Sequence, residues 1–225
     1  MALILNIDTA LENASVVLAQ DENILAIETN AEQKNHAAFL QPAIQNMCNT
    51  LQISLNAIDA VSVVYGPGSY TGLRVAMASA KGICYALNKP LITINTLDLM
   101  AFGAISTQTN ASNFLYCPMI DARRMEVFTA LYDAELNYIK EPFAAILDKD
   151  FLSETLRSNR IVFFGNGAQK IGRLFDTSNA YITNDNYLPE HLIKISLNYF
   201  QRQCFQSLAY SEPYYLKDFY STQRN

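Results

Sequence analysis

The sequence predicts an α/β protein of two lobes, each a mixed sheet with helices. Three stretches carry this expectation. Residues 61–90 read as a buried strand, a glycine-rich turn and a helix. Residues 3–29 read as three short strands with an aspartate in the first turn, and residues 114–132 repeat that order of strand, Asp-bearing turn and strand. The run STQTNAS at 106–112 is the most loop-like in the chain. It sets a boundary between an N-terminal lobe at 1–105 and a smaller C-terminal lobe at 106–225. The last helix, at about 189–205, has the option of packing back on the first lobe.

Taken in order, residues 3–8 alternate toward an apolar face, 9–13 form a turn, 14–19 return, and 24–29 add a third strand. Residues 33–51 carry Ala37, Leu40, Ile44, Met47 and Leu51 at helical spacing, with Asn35 as a cap. Pro42 inside that run predicts a kink or a late start. The β-branched Val61, Val63 and Val64 favour a packed strand, which Gly66-Pro67-Gly68 must end. Ser69 or Thr71 then caps a helix whose apolar face is Leu73, Met77, Ala80, Cys84 and Leu87. A second face of that helix is nearly all small: Ala76, Ser79, Ala80, Gly82 and Ile83. Gly82 in mid-helix costs about 1 kcal/mol against alanine, which asks for a packing reason.

Beyond it, 91–94 reads as a strand and 96–104 as a helix with Thr96 as cap and Asp98 near its positive end. Residues 114–120 and 126–132 are strands joined by Asp121-Ala122-Arg123-Arg124, and 139–146 adds another. Residues 148–158 read as a helix. A strand at 161–164 runs into Gly165-Asn166-Gly167 and a further helix from Ala168. The tail at 210–220 holds Tyr210, Tyr214, Tyr215, Phe219 and Tyr220, a density better explained by docking than by solvation.

Composition narrows the function classes. The chain has 225 residues, half of them hydrophobic, and a net charge of −5. No stretch of 18 or more apolar residues exists, so no membrane helix is expected. The opening MALILNIDTA lacks a basic region and reads as a first strand rather than a targeting segment. Cys48, Cys84, Cys117 and Cys204 are scattered, as buried thiols of a reducing cytosol would be, and a cytoplasmic location follows as an expectation. Residues 1–65 hold seven acids and one base, and the remainder 15 bases and 14 acids. That distribution offers no basic stripe of the kind that grips nucleic acid unaided.

The glycine-rich turn has three readings: a structural turn, a partner-facing turn, or a phosphate cradle at a helix start. Gly-x-Gly-x-x-x-Gly is neither a P-loop nor a dinucleotide fingerprint, and Ser69 does not sit in Gly-x-Ser-x-Gly.

GPGSYTGLRVAMASAKGICYAL followed by ITINTLDLMA closely resembles the signature of the TsaB (YeaZ) family. ILNIDTALENASVVLA, NHAAFLQPAI, PMIDARRMEVFTALYD and EPYYLK resemble the family's pattern in the same order, so the resemblance spans nearly the whole chain. It implies the actin-like ATPase (ASKHA) fold and a place in making threonylcarbamoyladenosine in tRNA. The implied role is that of a non-catalytic scaffold. It would pair with a TsaD-like paralogue that carries the metal and the transfer chemistry, be joined by a TsaE-like ATPase, form a homodimer when alone, and meet tRNA only through the complex.

By that resemblance the helices at 33–51 and 73–87 form the docking face. His36, Leu40, Ile44, Met47, Leu73, Arg74, Met77, Ala80, Lys81 and Cys84 are its expected contacts. Met77→Asp or Ala80→Arg is then expected to break association while leaving the monomer folded. ATP-binding members of the superfamily usually carry glycine and a basic or hydroxyl group in the first turn. Here Asp8-Thr9-Ala10-Leu11-Glu12-Asn13 has two carboxylates and neither glycine nor a base, which repels a triphosphate unless a metal intervenes. Asp8, Thr9, Gly165, Asn166 and Gly167 are the weak nucleotide candidates, with Asp8 and Thr9 as mere turn-formers the alternative. No cofactor is expected, with ATP or ADP at a subunit junction left open.

The rival function is a small ATPase or kinase of the same fold with its own nucleotide site. His36 and His191 form no His-x-x-x-His pair and no serine–histidine arrangement, so neither a metal site nor a peptidase is expected. Arg123 and Arg124, the only adjacent basic pair, pose a phosphate contact against a solvated turn or an ion pair with Glu126.

Overall fold

The computed structural model describes residues 1–32, 35–172, 174, 178–184 and 187–217. The chain divides into two compact units: residues 1–103 with 187–214, and residues 104–186 with 215–225. The last helix therefore counts with the first unit.

The first unit is built on β1 (Leu3–Asp8), β2 (Ala14–Gln20), β3 (Asn23–Asn30), β4 (Ala60–Gly66) and β5 (Leu91–Asn95), in the order β3-β2-β1-β4-β5. β1 runs antiparallel to β2 and parallel to β4, and β4 parallel to β5. All six residues of β1 are buried, which is why it reads as a nearly unbroken apolar run. Helices α1 (His36–Leu51) and α2 (Tyr70–Leu87) cover one face. Leu5, Ile7, Val61 and Val63 meet Leu40, Ile44, Met47, Met77, Ala80 and Cys84 there. On the other face Ile4, Val64, Ile92 and Ile94 pack with Leu99 of α3 (Thr96–Thr107) and with Leu192 and Ile195 of the closing helix. The alternation of 61 and 63 against 60 and 64 is the period of two that a half-and-half strand requires.

The second unit repeats the plan. β6 (Leu115–Asp121) is antiparallel to β7 (Glu126–Tyr132) and parallel to β9 (Ile161–Phe164). β8 (Tyr138–Ile146) and β10 (Ala180–Ile182) complete the order β10-β9-β6-β7-β8. Read from the other edge, it is the same order and pairing sense as the first sheet.

Several elements differ from the sequence reading. α1 begins at His36; Gln33 and Lys34 lie outside the described residues. α1 runs through Pro42 without interruption, and Asn35 makes no side-chain cap, its amide going to Glu32 instead. The cap at the start of α3 is Asn95, whose Oδ1 accepts from the Leu97 amide at 2.8 Å, not Thr96. Of residues 148–158 only α4 (Ser153–Ser158) is helical, because Leu152 takes a left-handed conformation before it. After Gly167 there is one short 3₁₀ turn, Ala168–Ile171, rather than a helix. The final helix, α5 (Pro189–Gln201), stops short of Phe205.

Candidate functional site

The nucleotide-type turn between β1 and β2 is closed by the chain itself. Ser69 caps α2 through the Gly72 amide, and its own amide donates to the Ala10 carbonyl at 2.7 Å. The Thr9 hydroxyl donates to the Gly72 carbonyl at 2.7 Å. A Cβ at Gly68 would collide with the Ala10 carbonyl, and one at Gly72 with the Thr9 carbonyl. The glycines are thus required by backbone-on-backbone packing at this point, and the structural reading of the turn is the one the contacts describe.

Asp8 is saturated in the same way. Its carboxylate accepts from the Ala10 amide at 2.9 Å and from the Tyr187 hydroxyl at 2.6 Å. Burial pushes its pKa above the usual carboxylate range, against the pull of those two hydrogen bonds. Tyr187 is raised well above an ordinary tyrosine by its own burial and by the Asp8 charge. His36, expected at a docking face, is buried and points Nε2 at the Glu12 carbonyl, 3.1 Å away. The turn's own residues 9–13 include no lysine or arginine. The Asp8 carboxylate and the Thr9 hydroxyl are thus engaged within the fold, with α2 packed against the turn.

In the second unit Gly165, Asn166 and Gly167 serve the β6 end. Asn166 Oδ1 accepts from the Asp121 amide at 2.8 Å, and the Gly167 amide donates to the Met119 carbonyl at 3.0 Å. A side chain at Gly167 would press on Val127 at 2.9 Å. Asp121 accepts from Lys170 Nζ at 2.6 Å, which holds its carboxyl below the usual range despite some desolvation. Among the described residues no group of three or more His, Cys, Asp or Glu is arranged to hold a metal.

The docking-face residues need correction. Leu40, Ile44, Met47, Leu73, Met77, Ala80 and Cys84 lie inside the first unit's own core, so they are not open to a partner. The apolar stripe of an amphipathic helix faces its own sheet first. Met77→Asp and Ala80→Arg consequently strike the fold before any association. Arg74 is exposed and stacks over Tyr70, 4.2 Å from the ring centroid, and Lys81 donates to the Ser211 carbonyl at 2.8 Å. What α1 and α2 turn outward keeps Arg74 from the expected contacts and otherwise includes Ala38, Gln41, Gln45, Ala78, Gly82 and Tyr85. Gln41 Nε2 donates to Ser79 Oγ at 2.9 Å and ties the two helices along this face. A Cβ at Gly82 would meet nothing, and Tyr85 is 83% exposed. Of the small second face read in the sequence, Ala76 and Ala80 are buried, Ser79 and Ile83 are half-buried and Gly82 is open; the exposed Ala78 was not part of it.

Of the tail's aromatics, Tyr214 docks on the first unit, its amide donating to the Tyr65 carbonyl at 2.8 Å and its ring lying 5.7 Å from that of Tyr65, whereas Tyr210 is 88% exposed, against the expectation. Phe219 and Tyr220 lie outside the described residues. Tyr187 was not marked in the sequence; it stands 179 residues from Asp8 and no local pattern links them.

The sequence pattern of the family described as TsaD, tRNA N6-adenosine threonylcarbamoyltransferase, matches residues 23–185. The chain is 31% identical over 222 residues to the tRNA threonylcarbamoyladenosine biosynthesis protein TsaB of Escherichia coli (strain K12), covering 96% of this chain and 94% of that protein. It is 28% identical over 165 residues to the protein of the same description from Bacillus subtilis (strain 168), covering 72% and 69%. Among solved structures it is similar to YeaZ from Pseudomonas aeruginosa, with a TM-score of 0.79, 24% identity, and coverage of 96% and 100%. A further structure, described as an uncharacterized protein with similarity to peptidase YEAZ from Pseudomonas aeruginosa, gives a TM-score of 0.81 at 23% identity. These structural likenesses show that the chain shares the α/β fold of the YeaZ structures, built here on two mixed sheets of like order.

Proposed function

The chain belongs to the TsaB (YeaZ) family, and from that premise we propose that it serves tRNA threonylcarbamoyladenosine biosynthesis as a non-catalytic scaffold. It acts by binding a TsaD-like paralogue, which transfers the threonylcarbamoyl group to N6 of the adenosine next to the anticodon. The observation that carries this reading is the closed first turn. Where a nucleotide-using relative needs open backbone amides and a cation, this chain has spent the Thr9 hydroxyl on α2, the Ala10 amide on Asp8, and the Asp8 carboxylate on Tyr187 as well.

The outward face of α1 and α2 is the proposed docking surface. Ala78 and Gly82 let a partner helix come close, and Tyr85 offers a large amphipathic anchor. A homodimer through the same face, a TsaE-like ATPase in the larger assembly, a cytoplasmic location and contact with tRNA through the complex all belong to this proposal.

Co-expression with the TsaD-like paralogue tests it. The expected result is a stable one-to-one complex and threonylcarbamoyl transfer that needs both chains. Transfer by the paralogue alone at the full rate would overturn the scaffold role. Micromolar ATP binding and turnover by the isolated chain, lost in Asp8→Ala, would favour the ATPase or kinase reading instead.

A further inference from the structure

The tip of the β6–β7 hairpin holds a charge that the fold does not use. Arg123 and Arg124 are both exposed, and both take left-handed backbone conformations, with φ of 73° and 50°. A hairpin tip with two successive residues of that hand is ordinarily Asn-Gly or Asp-Gly, because a Cβ makes the conformation unfavourable. Two arginines are a poor choice for the turn itself.

The carboxylates that flank them are already taken. Asp121 accepts from Lys170 Nζ at 2.6 Å and from the Arg123 amide at 2.6 Å. Glu126, the partner that the sequence suggested for this pair, is held by Lys217 at 2.7 Å. Neither guanidinium forms an ion pair with a described carboxylate, so among the described residues the tip's two positive charges are unpaired. Met125 is 43% exposed beside them, so the tip is not packed down against its own unit.

We propose that the Arg123–Arg124 tip is a phosphate-binding contact for RNA, supplying two backbone contacts to the tRNA when the modification assembly is formed. It rests on the function proposed above. It also accounts for a chain that serves tRNA without a basic stripe of its own: two planar cations at one protruding tip can clamp phosphates while another subunit supplies most of the grip.

The test compares the full-length chain with R123N/R124G, a pair that suits the turn geometry. Both are co-purified with the TsaD-like paralogue and titrated against a labelled tRNA transcript over a range of salt. The variant is expected to assemble normally and melt no lower than the parent. Its plot of log affinity against log salt is expected to be shallower by about 1.4–1.8, the value for two lost phosphate contacts. An unchanged slope and affinity overturn the proposal. Weakened assembly with an unchanged slope also overturns it, and makes the tip a protein contact. If the parent chain forms no assembly, the function proposed above fails. The tip is then judged on the isolated chain at low salt, where equal tRNA binding by both forms, including none, overturns it. A rise in melting temperature of the parent alone with inorganic phosphate, without a difference on tRNA, marks a small-anion site and overturns the RNA assignment.

Discussion

Met77 and Ala78 are neighbours on α2, the first buried and the second exposed, and substituting each separates the fold from the docking face. Met77 is 3% exposed and packs in the first unit's core. Replacing it by aspartate forfeits roughly 1.5–3 kcal/mol of apolar burial. It also buries a carboxyl group without a partner, at roughly 1–3 kcal/mol. The sum, about 2.5–6 kcal/mol, is a large share of the roughly 5–15 kcal/mol that holds a typical domain together. For a chain of this size it lowers the melting temperature by roughly 5–24 °C. Ala78 is exposed, and arginine is a good helix former, so Ala78→Arg should change stability by no more than about 0.5 kcal/mol. Differential scanning fluorimetry measures the first effect, and size-exclusion chromatography with the TsaD-like paralogue measures the second. Met77→Asp should melt early, whereas Ala78→Arg should melt like the parent and elute alone. A parent-like melting curve for Met77→Asp would refute the core assignment, and co-elution of Ala78→Arg would refute the face.

The glycines on α2 should behave in opposite ways. Gly72→Ala forces a methyl against the Thr9 carbonyl and should cost about 1–3 kcal/mol in urea unfolding, whereas Gly82→Ala enters open space and should gain about 1 kcal/mol. Asp8 has a folded-state pKa raised above its unfolded value, so its contribution is fully present below about pH 4 and is lost as pH rises through the folded value. Urea unfolding at pH 4.5 and 7.5 should therefore show the stability of the parent relative to Asp8→Asn falling as pH rises; a flat difference would contradict the burial of a charged Asp8. Tyr187→Phe removes a hydrogen bond to that carboxylate and should cost about 1.5–3 kcal/mol at neutral pH by the same measurement. Burial pushes the Cys84 and Cys117 thiols up to about 11 and about 12. A thiol reagent at pH 8 should accordingly label the half-buried Cys48 and Cys204 first, with Cys84 and Cys117 reacting only on unfolding.

Much of the fold was legible because its signals are local. The bounds of β1, β7 and β9 follow from apolar runs stopped by Asp, Arg or Gly, and the Ser69 cap follows from its place after the glycine turn. The repeated order of strand, Asp-bearing turn and strand was visible in the same way. The orientation of α1 and α2 was not. A period of 3.6 marks an apolar face without saying whether a sheet or a partner covers it, and α2 offers two faces that both lack charge. The short helical pieces after 152 and 167 were overstated because left-handed Leu152 and the tightly packed Gly167 cut them short. The pairing of Asp8 with Tyr187 is fixed by tertiary packing alone, as is the choice of Lys217 over arginine for Glu126.

The first unit is assembled from both ends of the chain, and this has a consequence for biosynthesis. On the ribosome, residues 1–103 emerge long before Tyr187–Tyr214. Until α5 is made, Ile4, Val64, Ile92 and Ile94 have no Leu192 or Ile195 to cover them, and Asp8 has no Tyr187. The half translated first is thus the half finished last. With Leu99 of α3 as early cover but α5 still missing, the nascent chain carries an apolar sheet face only partly shielded through much of its synthesis, a natural substrate for a chaperone that binds exposed strands.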